Sequence, residues 1–191
     1  MSTGTLVLLA LMSQGGTHGK AINSFLGPYI MYTDRFYLCE PDKRPLPWRW
    51  HLRTTHFNPR KPKEKQLLTG NLTGVNMSFD DSCWMKVILD ARSNNQWKEN
   101  AFIFLVKSKA CTRYRAGAPA LYDLFFRKRE INGMCSHQPG VYAVENATLE
   151  WTFPNIPIMP YGHYRYRMML GKAENLLMCG ALEASLIPKV E

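Results

Sequence analysis

The chain has 191 residues, of which 46% are hydrophobic, and its 24 lysines and arginines against 15 aspartates and glutamates give a formal net charge of +9. This length allows one domain with a real core, and the apolar content excludes an intrinsically disordered basic tail. The longest wholly apolar run, Leu6 to Met12, is far shorter than the roughly 20 residues of a transmembrane helix, so we expect no membrane-spanning helix.

The first 19 residues have the pattern of a secretory signal peptide. Small residues, among them Thr17 and Gly19, follow the apolar run and suit a cleavage point, although no positively charged residue precedes the run. The alternative is a buried N-terminal strand. We expect a signal peptide over residues 1–19 and a single secreted domain over residues 20–191.

Short runs rich in β-forming residues, separated by Pro, Gly, Asn and Asp, predict strands along the rest of the chain. The clearest is residues 47–53, where Trp48, Trp50 and Leu52 alternate with basic residues, as in a half-buried strand. The fold class we predict is all-β, an antiparallel two-sheet sandwich or cup. The predicted strands are residues 35–39, 47–53, 67–77, 84–90, 102–106, 141–145, 148–153, 163–170 and 177–187.

One segment has helical spacing. Between residues 119 and 131, Leu121, Leu124 and Phe125 recur at roughly helical intervals ahead of a basic cluster. We expect a short amphipathic helix, or an irregular loop carrying one, that either packs beside the core or acts as a lid.

Three N-glycosylation sequons begin at Asn71, Asn76 and Asn146, and they favour the secretory pathway. If Leu149 and Trp151 face inward on a continuous strand, parity places Asn146 on the outer face, where a glycan acceptor must lie.

The five cysteines contain no C-x-x-C pair, which argues against a zinc ribbon or a thioredoxin-like site. In an oxidising compartment they allow two disulfides and one leftover thiol, and the spacing alone does not choose among the pairings.

The positive charge is concentrated between Lys43 and Lys65, where eight lysines and arginines accompany a single glutamate. Binding to single-stranded nucleic acid is disfavoured, because Trp48 and Trp50 point away from the basic face and cannot stack beside it. The open interpretations are an anionic membrane surface, a sulfated glycan, an acidic partner protein, or a solvated sheet face. The predicted basic patch comprises Arg49, Arg53, Arg60, Lys61, Lys63 and Lys65.

Local signatures of catalysis are absent. The sequence has no G-x-S-x-G, H-E-x-x-H, P-loop or G-x-G-x-x-G pattern, and its histidines have no metal-ligand spacing. We therefore expect a protein that is not an enzyme and that uses no metal or cofactor.

Apolar side chains recur on one face of nearly every predicted strand. Such faces must be buried, either against each other in a solid core or around an apolar ligand in a cavity, and periodicity does not separate these alternatives. The candidate cavity residues are Trp48, Trp50, Leu52, Val87, Leu89, Phe102, Phe104, Leu149, Trp151, Phe153, Tyr164, Tyr166, Met168 and Leu182.

The second half of the chain carries a family resemblance. The segments 134–146, 154–165 and 178–186, together with 87–98, resemble the ganglioside-activator branch of lipid-binding proteins and, more closely, its insect relatives, the chemosensory protein B (CheB) family. The matching positions are mostly Cys, Gly, Pro and aromatic residues, and they lie within residues 35–187.

The resemblance implies an antiparallel β-cup that holds a lipid or another apolar molecule. It also implies two disulfides, Cys39 with Cys179 and Cys111 with Cys135, which leaves Cys83 as either a buried thiol or a site of intermolecular bridging.

The resulting hypothesis is a secreted, non-enzymatic carrier of a lipid, cuticular hydrocarbon or pheromone that is presented to a membrane receptor in a chemosensory organ. One alternative is a glycolipid-presenting activator of a lysosomal hydrolase, and another is a basic glycan-binding or receptor-binding module with a solid core.

Overall fold

The computed structural model describes residues 25–39, 45–127 and 133–189. The predicted signal peptide lies outside these residues, as do Lys43 and Arg44 at the start of the basic segment. The elements are β1 (Leu26–Gly27), β2 (Tyr29–Leu38), β3 (Trp48–Thr54), β4 (Leu67–Gly74), β5 (Phe79–Asp80), β6 (Cys83–Ser93), β7 (Gln96–Val106), α1 (Ala110–Gly117), α2 (Pro119–Phe125), β8 (Ser136–His137), β9 (Gly140–Thr148), β10 (Met159–Pro160), β11 (Gly162–Lys172) and β12 (Asn175–Pro188).

Two antiparallel sheets dominate, which confirms the predicted all-β class. The larger sheet has the strand order β2-β12-β11-β6-β7, and the smaller has the order β3-β4-β9. Two short ladders, β1-β10 and β5-β8, lie beside them. None of the helices in the described ranges is long and apolar enough to cross a membrane.

Apart from shifted strand ends, such as β2 beginning at Tyr29 and β7 at Gln96, and the four two-residue strands, the secondary structure differs from the prediction in three places. Residues 148–153 are not a strand, because β9 ends at Thr148 after Asn146 adopts a left-handed backbone with φ of 45° and the register with β4 shifts. Helix α1 was not predicted, since its apolar side chains do not form a clear stripe. Helix α2 ends at Phe125, earlier than predicted, and residues 128–131 of the predicted segment lie outside the described ranges.

The two sheets meet where β3 crosses β2 and β12. The indole of Trp50 packs on the backbone of Gly180, so closely that a Cβ at Gly180 would lie 2.2 Å from Trp50 Cζ2. Trp50 Nε1 also donates to the carbonyl of Tyr37 at 2.8 Å. The large indole therefore fits between the sheets only because position 180 has no side chain.

The buried amide of Gln66 provides a second link between the sheets. Its Oε1 accepts a hydrogen bond from the Thr33 backbone N–H at 2.7 Å, and its Nε2 donates to the carbonyls of Thr33 and Thr55 at 2.8 and 2.7 Å. Since Thr33 lies on β2 and Thr55 directly follows β3, one side chain connects the larger sheet to the smaller sheet.

The disulfides are Cys39–Cys179 and Cys111–Cys135, which confirms the pairing that the family resemblance implies. The first connects the end of β2 to β12, and the second connects α1 to the segment ahead of β8. Cys83 is the free cysteine of the described ranges, and it is 0% exposed. Burial raises the pKa of its thiol. It is a buried thiol, which argues against an intermolecular bridge.

A buried carboxylate organises the outer face of the larger sheet. Asp90 is 0% exposed and accepts hydrogen bonds from Arg165 Nε at 2.8 Å, from an Arg167 guanidinium nitrogen at 2.9 Å and from the Asn100 backbone N–H at 2.9 Å. Desolvation acts to raise the pKa of Asp90, but these hydrogen bonds outweigh it and leave the pKa below its usual value.

We expect Gly180→Ala to lower the free energy of unfolding by about 1–3 kcal/mol, because the added methyl forces the Trp50 indole out of its site. Urea denaturation measures the change. Gly117→Ala is the matched control, since a Cβ at that position meets nothing within 4 Å and should be neutral or slightly stabilising. Equal stability of the two variants would contradict the proposed packing.

We expect Asp90→Asn to lower the free energy of unfolding by about 3 kcal/mol at neutral pH, because it leaves two arginines without their carboxylate. A carboxyl with a lowered pKa stabilises the fold above its unfolded pKa, about 3.9, and this contribution is lost as the pH falls through the folded pKa. The gap between wild type and variant should therefore narrow below about pH 4.

Urea denaturation at pH values on both sides of this range tests the expectation. Glu99→Gln is the control, because Glu99 is mostly exposed and lies 3.8 Å from Arg165, so its removal should have little effect. If the difference in free energy of unfolding between wild type and Asp90→Asn does not change with pH, the role assigned to the Asp90 charge is wrong.

Candidate ligand cavity

A cavity of about 450 Å³ lies between the two sheets. The register of the larger sheet shows which residues form one wall of the cavity. Val87 on β6 lies between Phe104 on β7 and Met168 on β11, and the next inward row places Leu89 beside Tyr166. These side chains share one face because strand residues alternate between faces. The smaller sheet supplies the opposite wall through β3.

Elements outside the long strands also line the cavity. From the helices, α1 and α2 contribute Tyr114, Leu121 and Phe125. Tyr29 and the segment around Ile156 line it as well, and the hydroxyl of Tyr29 donates to the Ile156 carbonyl at 2.9 Å.

The predicted cavity residues divide into two groups. Those that line the cavity are Trp48, Trp50, Leu52, Val87, Leu89, Phe104, Trp151, Phe153, Tyr166, Met168 and Leu182. The prediction is wrong for Phe102, Leu149 and Tyr164, which do not line it.

The reason for each error is a local packing contact. The rings of Phe102 and Tyr164 pack on each other with centroids 6.4 Å apart, and the Tyr164 hydroxyl donates to the Pro160 carbonyl at 2.9 Å. Leu149 follows the end of β9, where its N–H donates to the Gln66 carbonyl and its side chain is buried in the core.

Several lining residues were missed by the sequence reasoning. Tyr29 and Met31 on β2 fall before the start of its predicted strand, and the residues on α1 fall in a helix that was not predicted. Phe36 does carry a signal, because it belongs to a predicted strand and has the right parity relative to Leu38. The missed residues include Tyr29, Met31, Phe36, Leu72, Phe79, Met85, Val106, Arg113, Tyr114, Leu121, Phe125, Phe126, Asn155, Ile156, Met159, Leu170 and Met178.

Few polar groups reach the cavity. Among the lining residues, Arg113 and Asn155 are exposed, and three are tyrosines, Tyr29, Tyr114 and Tyr166. Burial raises the pKa of Tyr114 and Tyr166, with smaller contributions from neighbouring tyrosines, so both hydroxyls are neutral at physiological pH. A wall of this kind can bind an apolar molecule by removing it from water, at about 25 cal/mol per Å² of buried apolar surface.

One cluster of potential metal ligands occurs in the described parts of the chain, and it comprises Cys111, Cys135 and His137. Both sulfur atoms belong to the Cys111–Cys135 disulfide, so neither is available as a thiolate ligand. The His137 ring is held by a contact of 2.9 Å between its Nε2 and the Tyr122 hydroxyl. The cluster is therefore part of the core packing beside α2.

A serine, a histidine and an aspartate also meet on the outer face of the larger sheet. His163 Nδ1 lies 2.8 Å from Ser185 Oγ and 3.5 Å from Asp34 Oδ2. A nucleophilic triad needs the serine and a carboxylate within hydrogen-bond distance of opposite ring nitrogens. Here Ser185 and Asp34 approach the same nitrogen, while Glu183 Oε2 lies 3.9 Å from Nε2, beyond hydrogen-bond distance, and Glu183 Oε1 pairs with Arg35. This arrangement does not support nucleophilic catalysis.

The predicted basic patch is divided between a strand and a loop. Arg49 and Arg53 lie on the outer face of β3, and the remaining members follow in the exposed loop before β4. Two of the loop lysines are paired with glutamates, Lys61 with Glu64 at 4.0 Å and Lys65 with Glu150 at 2.8 Å. Loop charge available to an anionic partner is thereby reduced.

The Asn71 sequon lies beside the strand portion of this patch. Asn71 on β4 pairs with His51, so it lies between the positions of Arg49 and Arg53 on the neighbouring strand. Its side-chain oxygen accepts a hydrogen bond from Thr73 Oγ1 of the same sequon at 3.1 Å. A glycan on Asn71 would cover the strand portion of the basic patch.

The other two acceptor asparagines are exposed. Asn146 lies on β9, although the parity argument that placed it outside is wrong in assuming a continuous strand through residue 153. Asn76 follows β4 and has a left-handed backbone, with φ of 60°.

If Asn71 is glycosylated, Asn71→Gln expressed in insect cells should elute from a heparin column at higher salt than wild type, because Arg49 and Arg53 become accessible. Intact-protein mass spectrometry checks that one glycan is lost. Asn76→Gln is the control, since that residue lies beyond the end of β4. Unchanged elution of a glycan-depleted Asn71→Gln protein would contradict the shielding.

A scan against protein-family models finds no match for this chain, and a search of curated proteins finds no matching relative.

Proposed function

We propose that the protein is a secreted, non-catalytic carrier that holds a hydrophobic ligand in the cavity between its two sheets. The observation that carries this proposal is the cavity itself, which is lined almost entirely by apolar side chains from both sheets and both helices.

The size of the cavity supports binding over a solid core. Protein interiors are packed as densely as organic crystals and leave few voids larger than a water molecule. A volume of about 450 Å³ is about three times that of an engineered apolar cavity that stays dry and binds benzene, and it falls within the range of small-molecule sites. The apolar strand faces therefore surround space that a ligand can occupy.

The carrier's proposed setting is chemosensation, and it rests on the resemblance to the CheB family. That resemblance points to a pheromone, cuticular hydrocarbon or related lipid, delivered to a membrane receptor. The two disulfides are compatible with secretion, because such bonds persist in oxidising compartments. A glycolipid-presenting activator would share the cavity but differ in activity, since it should transfer glycolipid out of vesicles more readily at acid pH.

The basic-module alternative receives less support. It requires a solid core and an accessible positive surface, whereas the core contains a cavity and part of the patch is paired with glutamates or lies beside the Asn71 sequon.

We expect Val87→Trp to reduce uptake of a fluorescent fatty acid at least tenfold, because the indole fills the centre of the cavity. Fluorescence titration of the purified, delipidated protein measures uptake, and native mass spectrometry of the protein from insect cells detects ligand carried through purification. Aromatic residues suit strands, and thermal unfolding verifies that the variant is folded.

Lys86→Trp is the matched control. Lys86 is the neighbour of Val87 on β6, and its side chain points to the opposite face of the sheet, so uptake should stay at the wild-type level. A wild-type protein that carries no lipid and takes up no fatty acid would refute the carrier function. Equal uptake by folded Val87→Trp and wild type would place binding elsewhere.

A further inference from the structure

We propose that the ligand of this cavity is an oxygenated chain, such as a long-chain ester, ketone, alcohol or acid, whose oxygen accepts a hydrogen bond from the Tyr166 hydroxyl. Tyr114 supplies a second hydroxyl of the same kind. This inference rests on the proposed carrier function and specifies the chemical class of its ligand.

The argument begins with the hydrogen bonds of the enclosed tyrosines. Buried hydroxyls in proteins nearly always have a partner. Tyr29 donates to the Ile156 carbonyl at 2.9 Å, Tyr164 to the Pro160 carbonyl at 2.9 Å, and Tyr142 to the Gln138 carbonyl at 2.5 Å. Tyr122 contacts His137 Nε2. These four hydroxyls are satisfied by the protein itself.

Tyr114 and Tyr166 differ from these four, because they line the cavity and have no such partner among the described residues. Neither hydroxyl has a hydrogen-bond partner within residues 25–39, 45–127 and 133–189, and both side chains line the cavity. Tyr166 projects into the cavity from the middle of β11, between Leu89 and Leu182 on the neighbouring strands. The indole Nε1 of Trp151, another lining residue, is also buried without a partner.

These unpartnered groups are all hydrogen-bond donors set in an apolar wall. Both tyrosines are protonated at physiological pH, because burial raises their pKa, and an indole N–H can only donate. A plain hydrocarbon would fill the cavity and leave the donors without an acceptor, which is costly in a desolvated site. A ligand oxygen beside Tyr166 would satisfy one donor and fix the position of the chain.

A comparison of two ligands across wild type and two tyrosine variants tests the inference. The ligands are tetradecane and methyl tridecanoate, which are similar in length and differ in the ester group. Their affinities are obtained by displacement of the apolar fluorophore N-phenylnaphthylamine from wild type, Tyr166→Phe and Tyr114→Phe. Loss of one hydrogen bond predicts that Tyr166→Phe weakens methyl tridecanoate about three- to tenfold and leaves tetradecane unchanged.

Tyr164→Phe is the matched control. Tyr164 lies two residues away on β11, does not line the cavity and already donates to Pro160. It should lower the unfolding temperature without changing the ratio of the two affinities. Tyr166→Phe should change the ratio of the two affinities without lowering the unfolding temperature, because the Tyr166 hydroxyl makes no hydrogen bond to the described residues.

The possible outcomes separate this inference from the carrier proposal. If both ligands bind wild type but neither phenylalanine variant changes their affinity ratio, the oxygenated-ligand inference is wrong and the carrier function stands. If neither ligand displaces the fluorophore and the fluorophore itself does not bind, the carrier proposal fails with it.

Discussion

The architecture depends on the contact between the two sheets at β2, β3 and β12. Trp50 rests on the bare backbone of Gly180, Gln66 ties Thr33 to the chain after β3, and the Cys39–Cys179 disulfide holds the end of β2 against β12. The remaining space between the sheets is bounded by α1, α2 and the segment after β9. A cavity exists because direct contact fixes the sheets along one side, while the helices and the segment after β9 hold them apart elsewhere and line the space between them.

The alternation of apolar and polar residues along the strands made part of the fold predictable from the sequence. Alternation in residues 47–53 identified β3 and its inward tryptophans correctly, because a period of two directly determines which face is buried. The same pattern could not distinguish a core from a cavity, since both require apolar faces. It also failed at Asn146, where a left-handed backbone ends the regular pairing that parity assumes. The unpartnered hydroxyl of Tyr166 depends on distances between elements, which no local pattern contains.

The outer faces of the two sheets differ in whether their arginines have acidic partners. On the larger sheet, Arg165 and Arg167 share the buried Asp90, and Arg35 pairs with Glu183 at 2.6 Å. On the smaller sheet, β3 and β4 contain no acidic residue, so the positive charge of β3 has no partner within that ladder. The two arginines of β3 therefore lie beside the Asn71 sequon with no acidic neighbour on β4.

The pairing of β2 with β12 has a consequence for biosynthesis. β2 is an edge strand whose one neighbour in its sheet is the final strand, and its disulfide spans 140 residues. The Cys111–Cys135 bridge, nested inside that span, joins residues 24 positions apart and can close while the chain is still emerging from the ribosome. The outer bridge must wait until translation has delivered Cys179. β2 therefore has no partner in its sheet until β12 has been synthesised, and the cavity cannot be complete before then.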